Sequence, residues 1–228
     1  RDRDAIRHAA LHDEQLEAQL KITVLMGGQS AERNVSLASG IRIVLALRSR
    51  GHDVVAFDPS AGKITEADQQ RLASSTVGVE PPSLESLAET TGGAFLPGLQ
   101  AMPEISEADV VFLARHGGMG EDGTIQALLD MAHVRYTGSG HLSSALAMDK
   151  DLAKKLFRVA GVQTADWLMA PASVEEVEKK LGFPVVVKPS KQGSTVGLSV
   201  VTARGTLDAA IAEAWLYDDA VMIAKFVA

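Results

Sequence analysis

The sequence contains no cysteine and few aromatic residues, and these shortages exclude several classes of protein. The chain has 228 residues, of which 46% are hydrophobic and only 4% aromatic. Without cysteine there is no disulfide scaffold, no thiolate zinc site and no cysteine nucleophile. No apolar run approaches the ~18 residues of a membrane-spanning helix. The remaining class is a globular protein of one large domain or two modest ones.

Positive charge is also scarce. Lysine and arginine together number 22, against 29 aspartate and glutamate residues, so the net charge is −7. This balance argues against a nucleic-acid partner, whose phosphates require a basic surface. Because no charged and then apolar leader with a small-residue cleavage site opens the chain, we expect a cytoplasmic protein.

Residues 1–20 have a weak apolar stripe that predicts a polar helical extension. His8 and His12 lie one helical turn apart, which is a spacing that can bind a metal ion on a helix face. Since no third ligand lies nearby in the sequence, we expect a solvated helix face instead.

Residues 21–140 alternate apolar strands with helices and predict an open, mostly parallel sheet. The strand–helix–strand order at the start implies a right-handed crossover between parallel strands. A poorly patterned, loop-rich insertion with short helices is expected over 58–108. The predicted strands are 21–26, 53–57 and 109–114, and the predicted helices are 35–50 and 124–132.

Residues 141–228 have a different pattern, which predicts a second, smaller α+β unit. The strands at 184–188 and 197–202 are joined by a short loop and should therefore pair antiparallel. Since this change of pairing supports a domain boundary, we place one near residue 140. The predicted helices are 143–159, 173–180 and 206–216, and the remaining strands are 166–169 and 220–227.

The first candidate binding loop is Gly27-Gly28, which follows the first strand and precedes Glu32. It matches neither the G-x-G-x-x-G dinucleotide fingerprint nor a Walker A loop. Glycines allow a backbone to approach a ligand closely, and a carboxylate near a helix start is stabilised there. An ordinary glycine turn with a capping glutamate is the alternative.

The second candidate loop runs from His116 to Gly123 and holds four glycines, a histidine and two acidic residues. Such a loop is costly to expose if it has no function. The acidic pair could instead cap the following helix, and His116 could be a buried histidine with its hydrogen bonds satisfied.

The third candidate is the loop that follows Lys188, where glycines, hydroxyl groups and a further lysine come together at 189–197. Loop amides and a fixed positive charge are the groups that hold polyphosphate. Lys150 supplies a second lysine near the proposed boundary. A solvated hairpin with ordinary surface lysines is the alternative, but a half-buried Lys188 favours an anionic partner.

Five ordered sets of motifs resemble those of D-alanine–D-alanine ligases of the ATP-grasp superfamily. They are residues 24–37, 116–117 with 120–126, 136–140, 144–150, and 187–190 with 193–197. The resemblance covers about 21–227. It implies an α/β protein in which an open, mostly parallel substrate-binding domain over 21–140 precedes an ATP-grasp-type α+β subdomain over 141–228, with 1–20 as an extension.

The resemblance also implies roles for individual residues. Glu32 would hold the ammonium group of the first D-alanine, Ser194 would hydrogen-bond near Glu32, and His116 would help hold the substrate carboxylate. Lys150 and Lys188 would contact the phosphates of ATP. The remaining nucleotide contacts would come from the amides around Ser194 and Thr195 and from Lys225, Phe226 and Val227, which match the adenine-pocket segment.

The implied reaction is the phosphorylation of a D-alanine carboxylate by ATP and Mg²⁺, followed by attack of a second D-alanine amine. It serves the synthesis of peptidoglycan precursors. The metal ligands are expected beyond residue 228. The implied partners are these small molecules and a second copy of the chain in a homodimer, with no nucleic acid and no membrane.

Three departures from the family pattern accompany the resemblance. Ala224 replaces a glutamate that recognises adenine, Arg115 replaces an apolar residue, and the sequence stops before the family's metal-binding carboxylates. A D-alanine–D-lactate ligase, another ATP-grasp ligase, and a non-catalytic nucleotide- or amino-acid-binding protein are therefore the alternatives.

Overall fold

The computed structural model describes residues 19–74 and 96–227. Most of the helix predicted over 1–20, including His8 and His12, lies outside these residues, as does the centre of the predicted loop-rich insertion. Residues 19 and 20 are described and are not helical.

The first half of the chain forms the predicted mostly parallel sheet. The strands are β1 (Lys21–Leu25), β2 (Asp53–Asp58), β3 (Gly62–Lys63) and β4 (Val110–Leu113). Strand β1 is paired in parallel with β2 on one side and with β4 on the other, and the short β3 pairs antiparallel with β2. The spatial order is β3-β2-β1-β4.

Helices cover both faces of this sheet, which explains why four successive residues of β1, 22–25, are buried instead of alternating. Val24 belongs to a core cluster with Ile41 and Val44 on one face. Its neighbour Leu25 belongs to a cluster with Ile125 and Leu129 on the opposite face. The helices are α1 (Arg33–Ser49), α2 (Glu66–Ser74), α3 (Pro103–Ser106) and α4 (Thr124–Met131).

The second half forms a four-stranded antiparallel sheet. The strands are β5 (Trp167–Met169), β6 (Val185–Pro189), β7 (Ser199–Val201) and β8 (Val221–Lys225). Their order is β5-β8-β6-β7, and the pairing of β6 with β7 confirms the predicted antiparallel pair. The core of this half is built by valine and isoleucine side chains packed against two helices. The helices are α5 (His141–Met148), α6 (Lys150–Val159), α7 (Val174–Lys180) and α8 (Leu207–Ala214). None of the helices within the described ranges is long and apolar enough to cross a membrane.

The prediction of a single helix over 143–159 was wrong, because the chain breaks at Asp149 into α5 and α6. Asp149 has an extended backbone with ψ of 103°, and its side chain accepts hydrogen bonds from the amides of Asp151 and Leu152. An aspartate that bonds to the first free amides in this way is an N-cap. The cap makes Lys150 the first residue of α6.

Replacing Asp149 by alanine should lower the free energy of unfolding by about 1 kcal/mol, because two amides at the start of α6 lose their acceptor. Asp149→Asn keeps an acceptor at the same place and should stay within a few tenths of a kcal/mol of the parent. Urea unfolding followed by circular dichroism measures both. Equal losses in the two variants would contradict the capping role.

Candidate functional site

The glycine loop after β1 is fixed by hydrogen bonds from three directions. The Gly27 amide donates to Ser36 Oγ (2.8 Å), and Ser36 Oγ donates to the Ala114 carbonyl (2.7 Å). The Gly28 amide donates to Asp58 Oδ1 (2.9 Å). Both glycines have positive φ, at 72° and 79°, a conformation that side-chain-bearing residues rarely adopt. The loop is therefore tied to α1, β2 and the end of β4.

Asp58 forms a nearly buried ion pair with Arg33 beneath this loop. Arg33 Nη2 lies 2.5 Å from Asp58 Oδ2, and the side chains are 15% and 2% exposed. Arg33 Nη1 also donates to the Gly28 carbonyl (2.8 Å). Sequence reasoning missed this pair, although an acidic residue that ends a buried parallel strand was a usable signal.

Glu32 lies where the two halves of the protein meet. The Ser194 hydroxyl donates to Glu32 Oε1 (2.9 Å) across 162 positions of sequence. A Cβ atom added to Gly117 or to Gly193 would lie 2.9 or 2.8 Å from Glu32 Oε2. The structure thus brings all three candidate loops together around one carboxylate. The alternative role of Glu32 as a helix cap is not adopted, since its side chain makes no capping bond.

The His116 side chain is contacted by two side chains of the first half of the chain. Its Nε2 lies 3.1 Å from Ser39 Oγ, and its Nδ1 lies 3.7 Å from Glu121 Oε1. Glu121 Oε2 also accepts a hydrogen bond from the Gly117 amide (2.9 Å). The side chain is 39% exposed, so His116 is not the buried histidine of the alternative interpretation. Glu121 belongs to the second candidate loop, but its contact with His116 and that of Ser39 were not predicted.

Lys150 connects the start of α6 to the third loop. Its Nζ donates to the carbonyls of Ser190 (3.0 Å) and Gln192 (2.6 Å), which leaves one N–H of the ammonium for another acceptor. Burial lowers the pKa of Lys150, and the nearby charge of Lys188 lowers it further. Two lysine charges therefore lie close together, which favours an anionic ligand.

Lys154 is a third lysine of this cluster, and the sequence analysis did not predict it. Burial lowers the pKa of Lys154, and Lys188 is the next largest cause. Its Nζ donates to Thr164 Oγ1 (2.6 Å). The usable signal was the spacing, because Lys154 follows Lys150 by one helical turn.

An indole ring borders the same region. Lys154 Nζ lies 4.9 Å and Arg158 Cζ 4.3 Å from the centre of the Trp167 ring, and Trp167 Nε1 donates to Asp151 Oδ1 (2.8 Å). Trp167 pairs in register with Ala224 of β8. Ala224, which stands where the family pattern has a glutamate, therefore places a small, buried side chain beside β5.

The remaining predicted residues are exposed, in the third loop and at the end of β8. Ser194 has a positive φ of 52° and is exposed, as is Thr195 in the same loop. The base of that loop is anchored, since Gln192 Nε2 donates to the Tyr217 carbonyl (3.0 Å). The three residues of the expected adenine-pocket segment are exposed after or at the end of β8: Lys225, Phe226 and Val227.

Over residues 19–74 and 96–227, no group of three histidine, aspartate or glutamate side chains is arranged to hold a metal ion. These residues alone therefore do not provide a fit for the Mg²⁺ ion that the family resemblance implies. The positive charges described at the site belong to side chains such as Lys150 and Lys154.

A parallel sheet domain, followed by a small antiparallel sheet with clustered lysines and a glycine loop, defines an ATP-grasp-type protein. Two family models match the chain, "D-ala D-ala ligase N-terminus" over residues 21–139 and "D-ala D-ala ligase C-terminus" over residues 148–228. The chain belongs to the D-alanine–D-alanine ligase family.

Curated relatives agree with this assignment. The chain is 37% identical over 223 residues to a D-alanine–D-alanine ligase of Pediococcus pentosaceus, covering 91% of this chain and 63% of the relative. It is 39% identical over 209 residues to the enzyme of that name from Geobacter sulfurreducens, covering 91% and 55%. The chain thus spans between half and two thirds of the length of these relatives.

Solved structures show the same fold. The VanG D-Ala:D-Ser ligase of Enterococcus faecalis matches with a TM-score of 0.71 at 27% identity, covering 92% of this chain and 63% of the other. A D-alanine–D-alanine ligase of Bacillus anthracis, complexed with ATP, matches with a TM-score of 0.67 at 28% identity, covering 92% and 60%.

Proposed function

We propose that the protein containing this chain joins two D-alanine molecules at the expense of ATP, for the synthesis of peptidoglycan precursors. ATP phosphorylates the carboxylate of the first D-alanine and leaves as ADP. The amine of the second D-alanine then attacks the acyl phosphate, which releases phosphate and one proton as the peptide bond forms. The observation that carries the proposal is the Ser194–Glu32 hydrogen bond, which joins a phosphate-type loop to a carboxylate in the first domain.

In this proposal, residues 21–140 form the amino-acid-binding domain and residues 141–228 the small nucleotide-binding domain. Glu32 holds the ammonium group of the first D-alanine, because a carboxylate fixed between two glycine loops is complementary to a small cation. His116 contacts the substrate carboxylate. Ser39 Oγ lies 3.1 Å from its Nε2 and Glu121 Oε1 lies 3.7 Å from its Nδ1, so these two side chains restrict the orientation of the ring.

The lysines hold the phosphates of ATP. Each lysine charge about 4 Å from a phosphate charge contributes up to about 4 kcal/mol at an intermediate dielectric, before desolvation is subtracted. Lys150 also bonds to the Gln192 carbonyl, so it couples phosphate binding to the position of the loop that carries Ser194 and Thr195. A closed glycine loop excludes water, which would otherwise hydrolyse an acyl phosphate.

No step is assigned to Mg²⁺ on the residues described. For the nucleotide, the fit is better: Lys150, Lys154 and Lys188 supply clustered positive charge, and the Trp167 ring and the end of β8 supply an adjacent surface. ATP supplies the phosphoryl group that activates the carboxylate.

The direct experiment is an assay of phosphate release from ATP in the presence of D-alanine, with the protein expressed from its complete open reading frame. Mass spectrometry of the product should detect D-alanyl-D-alanine. Phosphate release that does not depend on D-alanine, or an absence of dipeptide, would contradict the proposal. Binding of ATP with neither phosphate release nor any ligation product would instead indicate a nucleotide- or amino-acid-binding protein without ligase activity.

A second candidate function differs only in the second substrate. The VanG structure that shares this fold is titled a D-Ala:D-Ser ligase, and a D-lactate ester product is a further possibility within the same chemistry. Competition between D-alanine, D-serine and D-lactate in the product assay distinguishes the three.

Replacing Lys188 by methionine should weaken ATP binding at least about tenfold, because one charge-assisted phosphate contact is lost. Methionine keeps the length and apolar character of the stem within the sheet. Lys180→Met, at an exposed position of α7, is the matched control and should leave affinity unchanged. Isothermal titration calorimetry measures both, and parent affinity in Lys188→Met would remove the phosphate assignment.

We further propose a cytoplasmic homodimer. The support for this proposal is the family resemblance together with the expected supply of ATP in the cytoplasm. Analytical ultracentrifugation of the full-length protein tests the dimer, and a sedimentation coefficient of a single chain at micromolar concentration would contradict it.

A further inference from the structure

The base of the third loop is held by a short segment that follows α8, residues 217–219, which we call the anchor segment. The Lys191 amide donates to Asp218 Oδ2 (2.5 Å), and the Ala220 amide donates to Asp218 Oδ1 (3.1 Å). The Ala220 carbonyl in turn accepts from the Ser190 amide (2.8 Å). Both carboxylate oxygens of Asp218 therefore help to fix the first residues of the loop.

The other end of the loop meets the same anchor segment. A Cβ atom added to Gly197 would lie 2.7 Å from Cδ2 of the Tyr217 ring, so the backbone packs closely against that ring. The Tyr217 carbonyl also accepts from Gln192 Nε2 (3.0 Å) near the start of the loop. The loop thus leaves from and returns to the anchor segment, while its exposed tip, Ser194, bonds to Glu32.

Lys150 binds the base of the loop through carbonyl groups. Its Nζ donates to the carbonyls of Ser190 (3.0 Å) and Gln192 (2.6 Å). Within residues 190–192, Asp218 therefore fixes amides, and Lys150 bonds to carbonyls. Because the acceptors of Lys150 belong to this stretch, a shift in the base of the loop would move the ammonium group that is proposed to contact the phosphates of ATP.

Asp218 also supplies a negative charge to this region. Burial lowers the pKa of Lys150, the charge of Lys188 lowers it further, and the charges of Asp218 and Asp149 oppose that shift. A carboxylate near two like charges reduces the cost of bringing them together. The charge of Asp218 thus favours the protonated form of Lys150, which is the form that binds phosphate.

The adjacent carboxylate, Asp219, makes different contacts. Its Oδ1 lies 3.4 Å from Lys191 Nζ, and its side chain is 86% exposed. In the part of the chain that the structure describes, no amide of the third loop donates to Asp219. An ion pair between two exposed side chains contributes little to stability. Asp219 is therefore a chemical match to Asp218 that lacks its hold on the loop backbone.

We propose that Asp218 is a positioning residue, which sets the base of the third loop and with it the placement of the Lys150 ammonium group. This inference rests on the proposed function, because that ammonium group is assigned to the phosphates of ATP. Asp218 acts through its hydrogen bonds to the backbone and not through contact with the substrates.

The test measures ATP affinity by isothermal titration calorimetry, with the protein expressed from its complete open reading frame. Asp218→Ala should weaken ATP binding about fivefold, which corresponds to the loss of one hydrogen bond of ordinary strength. Asp218→Asn keeps the size of the side chain and one oxygen acceptor, so its affinity should lie between those of the parent and Asp218→Ala. Fewer equivalents of ATP bound at the parent affinity would indicate a general loss of folding and would overturn the positioning role.

Hydrogen exchange of the third loop provides a second measurement, which needs no ATP. In Asp218→Ala the Lys191 amide should exchange about fivefold faster or more, because its acceptor is removed. Asp219→Ala is the matched control, since it removes the neighbouring carboxylate and leaves the Lys191 amide bonded. It should keep both the ATP affinity and the exchange rate of the parent.

The outcomes separate this inference from the ligase proposal. Weaker ATP binding and faster Lys191 exchange in Asp218→Ala, with neither change in Asp219→Ala, support the positioning role. Parent values in Asp218→Ala, or equal changes in the two alanine variants, would contradict it. If the parent protein binds ATP but forms no dipeptide, the ligase proposal fails, and these comparisons still decide the role of Asp218.

Discussion

Replacing Glu32 by glutamine should lower kcat/KM for D-alanine by roughly 10- to 150-fold, which corresponds to the loss of one hydrogen bond to a charged group. The glutamine keeps the size of the side chain and can still accept the hydrogen bond from Ser194. It removes only the negative charge that would face the substrate ammonium. The effect should therefore fall on D-alanine and not on ATP.

The control for this prediction is Glu178→Gln, which removes an exposed carboxylate of α7 that pairs with Arg204. It should keep the parent kinetics. Steady-state phosphate release with varied D-alanine and saturating ATP measures both variants. A Glu32→Gln enzyme with unchanged kcat/KM would remove Glu32 from the amino-acid site and leave the lysine assignments intact.

Replacing Asp58 by alanine should destabilise the fold by about 3–5 kcal/mol, the usual cost of removing one partner of a buried ion pair. Asp58 accepts hydrogen bonds from Arg33, from the Gly28 amide and from the Ser60 amide. All three donors would lose an acceptor in a place that water reaches poorly. We expect the Gly27-Gly28 loop to become disordered under milder conditions than the sheet.

Thermal or urea unfolding measures this loss, and hydrogen exchange at the Gly28 amide reports the loop directly. Asp166→Ala, which removes an exposed partner of Arg158, is the matched control and should cost less than about 1 kcal/mol. In the Asp58→Ala background, Arg115→Leu should recover part of the stability, since it removes a second buried cation that Asp58 had balanced. Additive losses in the double variant would contradict that coupling.

Local sequence patterns predicted the two sheets well. Three neighbouring features of the chain predict the parallel crossover: the apolar run of β1, the glycines that end it and the helix that follows. The short loop between β6 and β7 similarly determined their antiparallel pairing. The failure at Asp149 has the same origin, because an aspartate within an apolar helical pattern carries no local sign of whether it caps or continues the helix.

The candidate site could be predicted only in part. The three loops were identified because glycine, lysine and histidine at strand ends are unusual locally. Their mutual contacts were known only through the family resemblance, since Glu32 and Ser194 are 162 residues apart. Ser39 and Lys154 were missed because a serine and a lysine on helices are ordinary there until their neighbours are known. Glu121 was noted as part of the second loop, but its contact with His116 was not predicted.

The sequence by itself determined the order of strands and helices, the acidic and cysteine-free composition, and the residue types available in each loop. These follow from local periodicity, backbone conformational preference and composition. Only the tertiary structure decided that Arg33 neutralises Asp58, that three glycine-rich loops surround one carboxylate, and that Arg115 is buried. These features depend on burial and on the distances between segments that are remote in sequence. Burial and distance set the free energy of a charged group, and no local sequence pattern encodes them.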